Sequence, residues 1–509
     1  MTADRTRRSG MGSSWAALGV AIAGAVLVAL AFPKTNAVVL APLGAVGLFW
    51  AWFGLSPKRA FLVGWAAGTV FFAINFAWFG ETAGALIAPF GFFMTLGPGI
   101  GAALFEFALP AAAIALVRER AHPALVPAAA AAVFAFGEWF RSEGIGVLGT
   151  PFGSLGYTQV DSPFAPLASF LGTYGITFVL CLLAAYAAFA IRSGFSRRAL
   201  RPAGIAYALI VGAVALAWLT WPARTLAPAT LKVAAIQGNI AQSLKFKPES
   251  FYTALERYTS LTVEAAHGHP ALIVWPETVV TAEINRVPWL QKRLGDLAKN
   301  VNAEIIVGGF DRNGADFYNA LYFYRAEGLL DEVYRKRQLV PFAEHTPFES
   351  LLGWVPWTKN ASHISMGTSS GVVEAGGVRV GPIICWESAF SGLTYGDVRD
   401  GADALIIATD DAWFGVSAGP YQHAQIAQMR ALETGRWIVR AASTGISGII
   451  APNGRYVRES QLNEAVVVAG TIGPPVRTAY DSYGPGGIAF GLALVYGGIF
   501  GWGRRRVRR

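Results

Sequence analysis

The sequence of 509 residues predicts a polytopic α-helical membrane part of about eight crossings, joined to an extramembrane domain of mixed strands and helices. Three observations lead there. Hydrophobic residues make up 54% of the chain and charged residues only 14%, a balance foreign to soluble proteins. Apolar runs of about 20 residues, the length that crosses about 30 Å of hydrocarbon, recur through the first part of the chain and again near its end. Between them, from Leu231 on, the pattern changes to short β-branched runs separated by amphipathic or polar stretches.

Crossings are expected at 15–32, 37–55, 60–80, within 83–117, and at 124–140, 170–191, 203–221 and 482–503. The stretch 83–117 is too long for one helix and carries Gly97, Pro98 and Gly99. An interfacial or re-entrant piece is therefore expected before one true crossing. The start of the chain also has the look of a signal peptide, with a basic beginning, an apolar run and Ala29-Leu30-Ala31 as a cleavage site. It is read here as the first crossing.

Charge placement orients these segments. Residues 1–221 and 504–509 hold 18 Lys and Arg against 7 Asp and Glu, a net of +11, whereas 222–503 hold 23 against 25. The overall +9 thus belongs to the membrane part, which argues against a nucleic-acid partner. Sixteen of those 18 cations fall in alternate loops and at the two ends, and only Lys34 and Arg141 fall in the other loops. Short cytoplasmic loops collect Lys and Arg, so both termini are expected in the cytoplasm and residues 222–481 across the membrane from it. Three parts follow: 1–221 with seven crossings, 222–481 as the working domain, and 482–509 with the eighth crossing and a basic tail. Glu106 and Glu138 lie inside expected crossings, where an ionisable group is costly. An interhelical hydrogen bond suffices for each, since a proton-relay transporter would carry more such residues.

In the extramembrane domain, strands are expected at 231–237, 271–275, 304–309, 320–324, 378–384, 404–408, 437–441, 448–451 and 465–472, with helices at 250–266, 289–300 and 421–434. The mixture argues a layered α/β or α+β domain. The chain has two cysteines, Cys181 in an expected crossing and Cys385 outside the membrane. A lone thiol in an oxidising compartment invites mispairing, and the surroundings of Cys385 give it a task. Gly381-Pro-Ile-Ile-Cys385-Trp-Glu-Ser reads as a buried strand ending at a thiol on a turn, with the Trp386 N–H placed to face an oxyanion. The six histidines form no pair with it: His423 opens a helix and reads as structural, and His267 and His269 have too few neighbours for a metal site. Carboxylates serve better as base. Glu277 follows the strand of Ala271-Leu-Ile-Val-Trp-Pro-Glu277, and Lys336 and Glu344 lie in Tyr334-Arg-Lys-Arg-Gln-Leu-Val-Pro-Phe-Ala-Glu344.

The order W-P-E, Y-x-K-x-x-L-V-P-F-x-E, C-W-E resembles the Glu-Lys-Cys set of the nitrilase superfamily. Gln237-Gly-Asn-Ile-Ala-Gln-Ser-Leu-Lys245, Asp411-Ala-Trp-Phe-Gly415 and the flanking membrane helices narrow the resemblance to its membrane-embedded branch, the apolipoprotein N-acyltransferases. That resemblance implies an α-β-β-α sandwich, with Glu277 as general base, Lys336 on the oxyanion and Cys385 as nucleophile. It makes Glu344, Glu387, Asn319 and Trp386 supporting residues, and Phe246, Phe342, Trp354, Trp357 and Trp413 lipid contacts. Phe246 stands where the family often has Trp. The implied reaction moves the sn-1 acyl chain of a glycerophospholipid through a Cys385 thioester to the α-amine of a diacylated apolipoprotein, in the bacterial inner membrane. It needs no cofactor or metal and suits a monomer. Leu351-Leu-Gly-Trp354-Val-Pro-Trp357 is read as a lid dipping into the interface, and the Gly-rich stretch 144–157 as either a lipid entrance or an ordinary ordered loop. Two alternatives stand beside this reading: a membrane-tethered amidase or hydrolase using the same three residues, and a transporter or receptor with an inert sandwich domain.

Overall fold

The computed structural model describes residues 2–80, 91–220, 228–354 and 363–507. The chain divides into two compact units, Met1–Thr220 with Tyr483–Arg509, and Trp221–Ser482.

The first unit is helical: α1 (Thr2–Ala29), α2 (Leu40–Trp52), α3 (Pro57–Asn75), α4 (Gly91–Ala103), α5 (Leu109–Arg118), α6 (Val126–Trp139), α7 (Ala168–Arg192), α8 (Arg197–Thr220) and a last helix, Gly484–Val507. Among the described residues, Leu96–Arg118, Pro123–Gly144, Ala165–Arg192, Arg197–Thr220 and Gly484–Trp502 are long and apolar enough to cross a bilayer, and Ser14–Ala29 and Leu40–Trp52 are shorter apolar helices. Small residues let these helices meet closely. A Cβ on Gly44 of α2 would overlap the Gly24 carbonyl of α1.

Two expectations are corrected here. Gly97, Pro98 and Gly99 do not end a re-entrant piece: α4 runs through them and continues by a π turn, Leu104–Ala108, into α5. Helices in apolar surroundings tolerate Pro because neighbouring groups take up the freed backbone atoms. The earlier part of that piece, 83–90, lies outside the described residues. Arg141, counted above as a loop charge, is wholly buried and pairs with Glu106 at 2.5 Å. Its other nitrogens donate to Phe152 O at 3.0 Å and Ser154 Oγ at 3.2 Å. Glu138 accepts from Thr177 on α7 at 2.7 Å and from the Leu155 N–H at 2.8 Å. The two buried glutamates thus pin the stretch 144–157.

The second unit is built from two sheets. One sheet runs Val466–Ile472, Leu231–Gln237, Leu272–Val274, Glu304–Asn313, Asp316–Tyr324, Leu330–Arg335 with Val280–Glu283 beside Glu304–Asn313, and the other Tyr456–Glu459, Gly448–Ile450, Trp437–Ala442, Ala404–Thr409, Val378–Ile384, Val373–Ala375. The strands are β1 (Leu231–Gln237), β2 (Leu272–Val274), β3 (Val280–Glu283), β4 (Glu304–Asn313), β5 (Asp316–Tyr324), β6 (Leu330–Arg335), β7 (Val373–Ala375), β8 (Val378–Ile384), β9 (Ala404–Thr409), β10 (Trp437–Ala442), β11 (Gly448–Ile450), β12 (Tyr456–Glu459) and β13 (Val466–Ile472). Among the described residues, four helices of two turns or more accompany them, α9 (Pro248–Ala266), α10 (Pro288–Val301), α11 (Ser391–Arg399) and α12 (Gly419–Thr434), beside the short helices Gln242–Lys245 and Glu349–Leu352. The centres are parallel, β1 with β2 and β2 with β4 in one sheet, β8 with β9 and β9 with β10 in the other.

Strand alternation sorts the side chains into layers. Val233, Ala235, Leu272, Val274 and Ile306 meet Val380, Ile384, Ile406, Ala408 and Val439 between the sheets. Their neighbours Ala234, Ile236, Ile273 and Ile305 turn outward onto Leu255 and Tyr258 of α9 and Leu290 and Leu294 of α10. On the other side Ile383, Leu405, Ile407 and Ile438 cover Val398 of α11 and Ala427 and Ala431 of α12. The result is an α-β-β-α sandwich. Strands buried on both faces read as unbroken apolar runs, which is why β1, β8 and β9 are so hydrophobic.

Candidate active site

Each expected catalytic side chain sits just past the end of a strand. Glu277 follows β2, and β4 makes room for it: a Cβ on Gly308 would overlap the Pro276 carbonyl and the Glu277 backbone. Lys336 follows β6, its N–H donating to the Asn319 carbonyl of β5 at 2.9 Å. Cys385 follows β8 and begins a tight turn, Cys385–Ala389. Its φ of +50° lies in the left-handed region, which costs a residue with a Cβ about 1 kcal/mol or more and is typical of functional turns. Thr278, next to Glu277, has a φ of +45°.

The Lys336 ammonium is the hub. It donates to Glu277 Oε1 at 3.0 Å and to Glu344 Oε1 at 2.8 Å, with only 1% of its side chain exposed. Asn319 Nδ2 bridges the same two oxygens at 2.6 and 3.2 Å. Glu344 is held by the Val340 N–H at 2.8 Å, and Glu277 Oε2 by the Asp410 N–H at 2.9 Å. Burial would raise the Glu277 carboxyl, but Lys336, Lys245 and the bonds from Lys336 and Asn319 outweigh it and hold it below the ordinary range. For Lys336, burial alone would lower the ammonium. The negative charges of Glu277 and Glu344, with Cys385 beside them, push it well up instead. Burial raises the Cys385 thiol well above its usual value, Glu277 and Asp411 add to this, and Lys336 opposes it. At neutral pH the resting site therefore holds a thiol, an ionised Glu277 and a charged Lys336. An ionised base beside a protonated nucleophile is the state from which a proton can be taken.

Glu387 is fully buried and has a different task from the Glu277 cluster. Its Oε1 accepts from the Arg337 N–H at 2.5 Å and the Gln338 N–H at 3.1 Å, and its Oε2 from the Ile384 N–H at 2.7 Å and the Tyr334 hydroxyl at 2.8 Å. One carboxylate thus ties the segment carrying Lys336 to the strand end carrying Cys385. Trp386 is buried beside the nucleophile, its ring 6.2 Å from that of Phe390.

The expected lipid contacts are less collected. Phe246 is 53% exposed with the Lys245 ammonium 6.0 Å from its ring centre. Phe342 and Trp413 are half-buried, Phe342 with a φ of +64°. Trp354 stands exposed after the short helix Glu349–Leu352, and Trp357 lies outside the described residues.

Two groups escape sequence reasoning. Lys245 is buried and donates to Thr278 Oγ1 at 2.7 Å, to the Glu277 carbonyl at 3.1 Å and to Asp410 Oδ2. Beneath the nucleophile, Arg440 donates to Asp411 Oδ2 at 2.8 Å, and Asp411 Oδ1 lies 2.8 Å from His423 Nδ1. His423 Nε2 lies 2.8 Å from Ser388 Oγ and 3.1 Å from the Cys385 carbonyl. His423 thus supports the backbone of the nucleophile turn. The motifs 237–245 and 411–415 contain Lys245 and Asp411, but nothing in their spacing shows that they reach this site.

The chain is similar to known proteins over most of its length. Residues 232–480 match a family described as carbon-nitrogen hydrolase, and residues 24–186 one described as apolipoprotein N-acyltransferase N-terminal domain. The apolipoprotein N-acyltransferase of Photobacterium profundum is 32% identical over 89% of this chain and 89% of its own length. That of Pseudomonas syringae pv. tomato is 32% identical over 94% of this chain and 96% of its own. Among solved structures, a mutant of the Nesterenkonia AN1 amidase from the nitrilase superfamily aligns over 48% of this chain and 93% of that chain, at 16% identity and a TM-score of 0.39.

Proposed function

The chain belongs to the apolipoprotein N-acyltransferase family, and from that premise we propose that it transfers the sn-1 acyl chain of a membrane glycerophospholipid to the N-terminal amine of an S-diacylglyceryl-cysteine apolipoprotein through a Cys385 thioester. The observation that carries the residue roles is the buried Lys336 ammonium bonded to both Glu277 and Glu344, beside a thiol held on a strained strand end.

In the first half-reaction Glu277 takes the thiol proton as Cys385 Sγ attacks the ester carbonyl carbon. The negative oxygen that forms is met by the Lys336 ammonium and the Trp386 N–H. Collapse breaks the carbon–oxygen ester bond, Glu277 returns its proton to the leaving alkoxide, and a lysophospholipid departs. In the second half-reaction the α-amine attacks the thioester carbon, its proton passes to Glu277, and the carbon–sulfur bond breaks as the thiol is re-protonated. A thioester is reactive enough toward an amine that no cofactor is called for. Phe246, Phe342, Trp354, Trp357 and Trp413 supply apolar and interfacial surface for the chains.

The chain is an integral membrane protein of bacteria. In our reading it crosses the inner membrane eight times, with 1–221 and 482–509 as the membrane part and 222–481 facing the periplasm, because the cations gather in alternate loops and at both ends. It works as a monomer, since both substrates arrive laterally through the bilayer. An enzyme held in the membrane with its lipid substrates gains effective concentration.

The test is the product. Phospholipid and a diacylated lipopeptide should yield N-acylated peptide and lysophospholipid in equal amounts. Free fatty acid with unmodified peptide would favour the hydrolase alternative. For orientation, single cysteines replacing exposed Glu327 and Ser196 in a Cys181→Ala, Cys385→Ala background are exposed to an impermeant maleimide on spheroplasts. The cysteine at 327 should label and the one at 196 should not; the reverse pattern would invert the topology.

A further inference from the structure

Lys245 belongs to none of the roles assigned above, yet it is the second cation at the base. Its side chain is 4% exposed and its partner Asp410 1%. A buried ammonium is retained only where its partners repay desolvation, and this one has three. Two of them, the Glu277 carbonyl and Thr278 Oγ1, belong to the base and to its strained neighbour. The third, Asp410, is the residue whose N–H holds Glu277 Oε2. Asp410 is fixed in turn by the Ser443 hydroxyl on its other oxygen.

The loop bearing Lys245 is itself anchored at its start. The Gly238 N–H donates to Tyr258 Oη at 3.1 Å, and Arg257 donates to the Gly238 and Asn239 carbonyls. Asn239 N donates to the Ser443 carbonyl at 2.9 Å. The next residue after Lys245 is Phe246, whose exposed ring stands over the ammonium.

We propose that Lys245 is a positioning residue for the general base: with Asp410 it fixes the Glu277–Thr278 backbone and the N–H that aims Glu277 Oε2, and so makes the loop that presents Phe246 part of the catalytic frame. Lys336 and Asn319 hold one carboxylate oxygen, and the Lys245–Asp410 pair governs the other. The Lys245 charge also favours the ionised base. Removing it raises the Glu277 carboxyl. Because the base acts when deprotonated, the acid limb of the acylation profile then moves to higher pH.

The inference rests on Glu277 being the base, and the experiment separates the two. Full-length wild type, Lys245→Met, Lys245→Arg, the Lys245→Met/Asp410→Asn double variant and Glu277→Gln are given phosphatidylethanolamine alone, and the rate of Cys385 acyl-adduct formation is followed by intact-mass spectrometry across pH. Lys245→Met is expected to slow the adduct by about 10-fold to 100-fold and shift the acid limb upward. Lys245→Arg should recover part of the rate. The double variant removes the buried charge pair together, so it keeps the fold while leaving the rate low, with the limb shifted less than in Lys245→Met because the Asp410 charge is gone too. A double variant with the wild-type rate would overturn the inference, because Lys245 would then serve folding alone. A Lys245→Met chain with an unchanged limb would overturn it too. If Glu277→Gln forms adduct at the wild-type rate, the base assignment itself falls.

Discussion

Replacing Glu387 by Gln removes a charge while keeping the shape of the side chain, and the structure sets the cost. The carboxylate receives four hydrogen bonds, two on each oxygen. A glutamine amide keeps one oxygen and turns an NH2 group toward the other two donors, so two bonds to a charged acceptor are lost. At about 1.5–3 kcal/mol for each such bond, the gross loss is about 3–6 kcal/mol. The neutral side chain escapes the desolvation that pushes the Glu387 carboxyl above its usual range, and this returns part of the loss. A net destabilisation of about 2–4 kcal/mol remains. For a domain of this size it lowers the melting temperature by roughly 5–15 °C. Tyr334→Phe removes one donor to Glu387 and the acceptor of Arg337 Nε, and should cost about 1–3 kcal/mol. The assay is the thermal transition of the detergent-solubilised chain followed by tryptophan fluorescence, with the rate of Cys385 adduct formation measured well below it. Glu387→Gln should also slow the adduct at least about tenfold, because Lys336 and Cys385 lose their common brace. A variant that melts and acylates like wild type would refute the bracing role.

Glu277→Gln should have opposite effects on two reactions of one thiol. Its charge helps hold the Cys385 thiol up, so its removal lowers the thiol's pKa and speeds alkylation by iodoacetamide at pH 8, whereas acylation by phospholipid slows for want of a base; parallel slowing of both would contradict the assignment. In the wild type the Glu277 carboxyl lies below the ordinary carboxylate range and acts when ionised. Adduct formation should therefore persist as pH falls to about 4.5 and decline only beneath it, and a decline centred near pH 6.5 would point to a histidine base instead. His423→Ala unties Asp411 and the Cys385 carbonyl and should reduce the acylation rate with little change in the concentration of lipid giving half-maximal rate; a change in that concentration alone would place His423 in lipid binding. Arg141→Met leaves Glu106 buried without its partner and should destabilise the membrane unit by about 3–5 kcal/mol, much of it recovered in Arg141→Met/Glu106→Leu, as thermal melting of the solubilised chain would reveal.

Strands buried on both faces are legible from sequence because their buried stretches are almost wholly apolar: β1 and β8 carry Lys232 and Arg379 only at their exposed starts, and β1 closes on Gln237. Edge strands are not. The sequence Leu-Asp-Glu-Val-Tyr-Arg of β6 and Tyr-Val-Arg-Glu of β12 carry charge on solvent-facing positions, and β3 and β7 are three or four residues long. Ser391–Arg399 forms a helix although Gly392 and Gly396 weaken it, because Val398 and its neighbours find the outer face of the second sheet. In the site, Glu277 and Cys385 announce themselves because each follows a hydrophobic strand, whereas Lys336 follows the charged edge strand β6 and stands out only by its motif. Lys245 and Asp410, or Arg440 and His423, are set beside those residues by the way strands β9 and β10, helix α12 and the loop after β1 converge, which no local spacing encodes. The same holds for Arg141, whose charge looks like a loop marker until the π turn at 140–144 folds it inward against Glu106.

The central claim is that acyl transfer passes through sulfur at residue 385. The direct measurement is a two-stage mass experiment on the full-length chain: phospholipid alone first, then a diacylated lipopeptide after the free lipid is removed. Wild type should gain one hydroxylamine-labile acyl group on Cys385, lose it when the peptide is added, and give an equal amount of N-acylated peptide, while Cys385→Ala does none of these. N-acylated peptide made by Cys385→Ala, or turnover by a wild-type enzyme that never carries the adduct, would contradict the account.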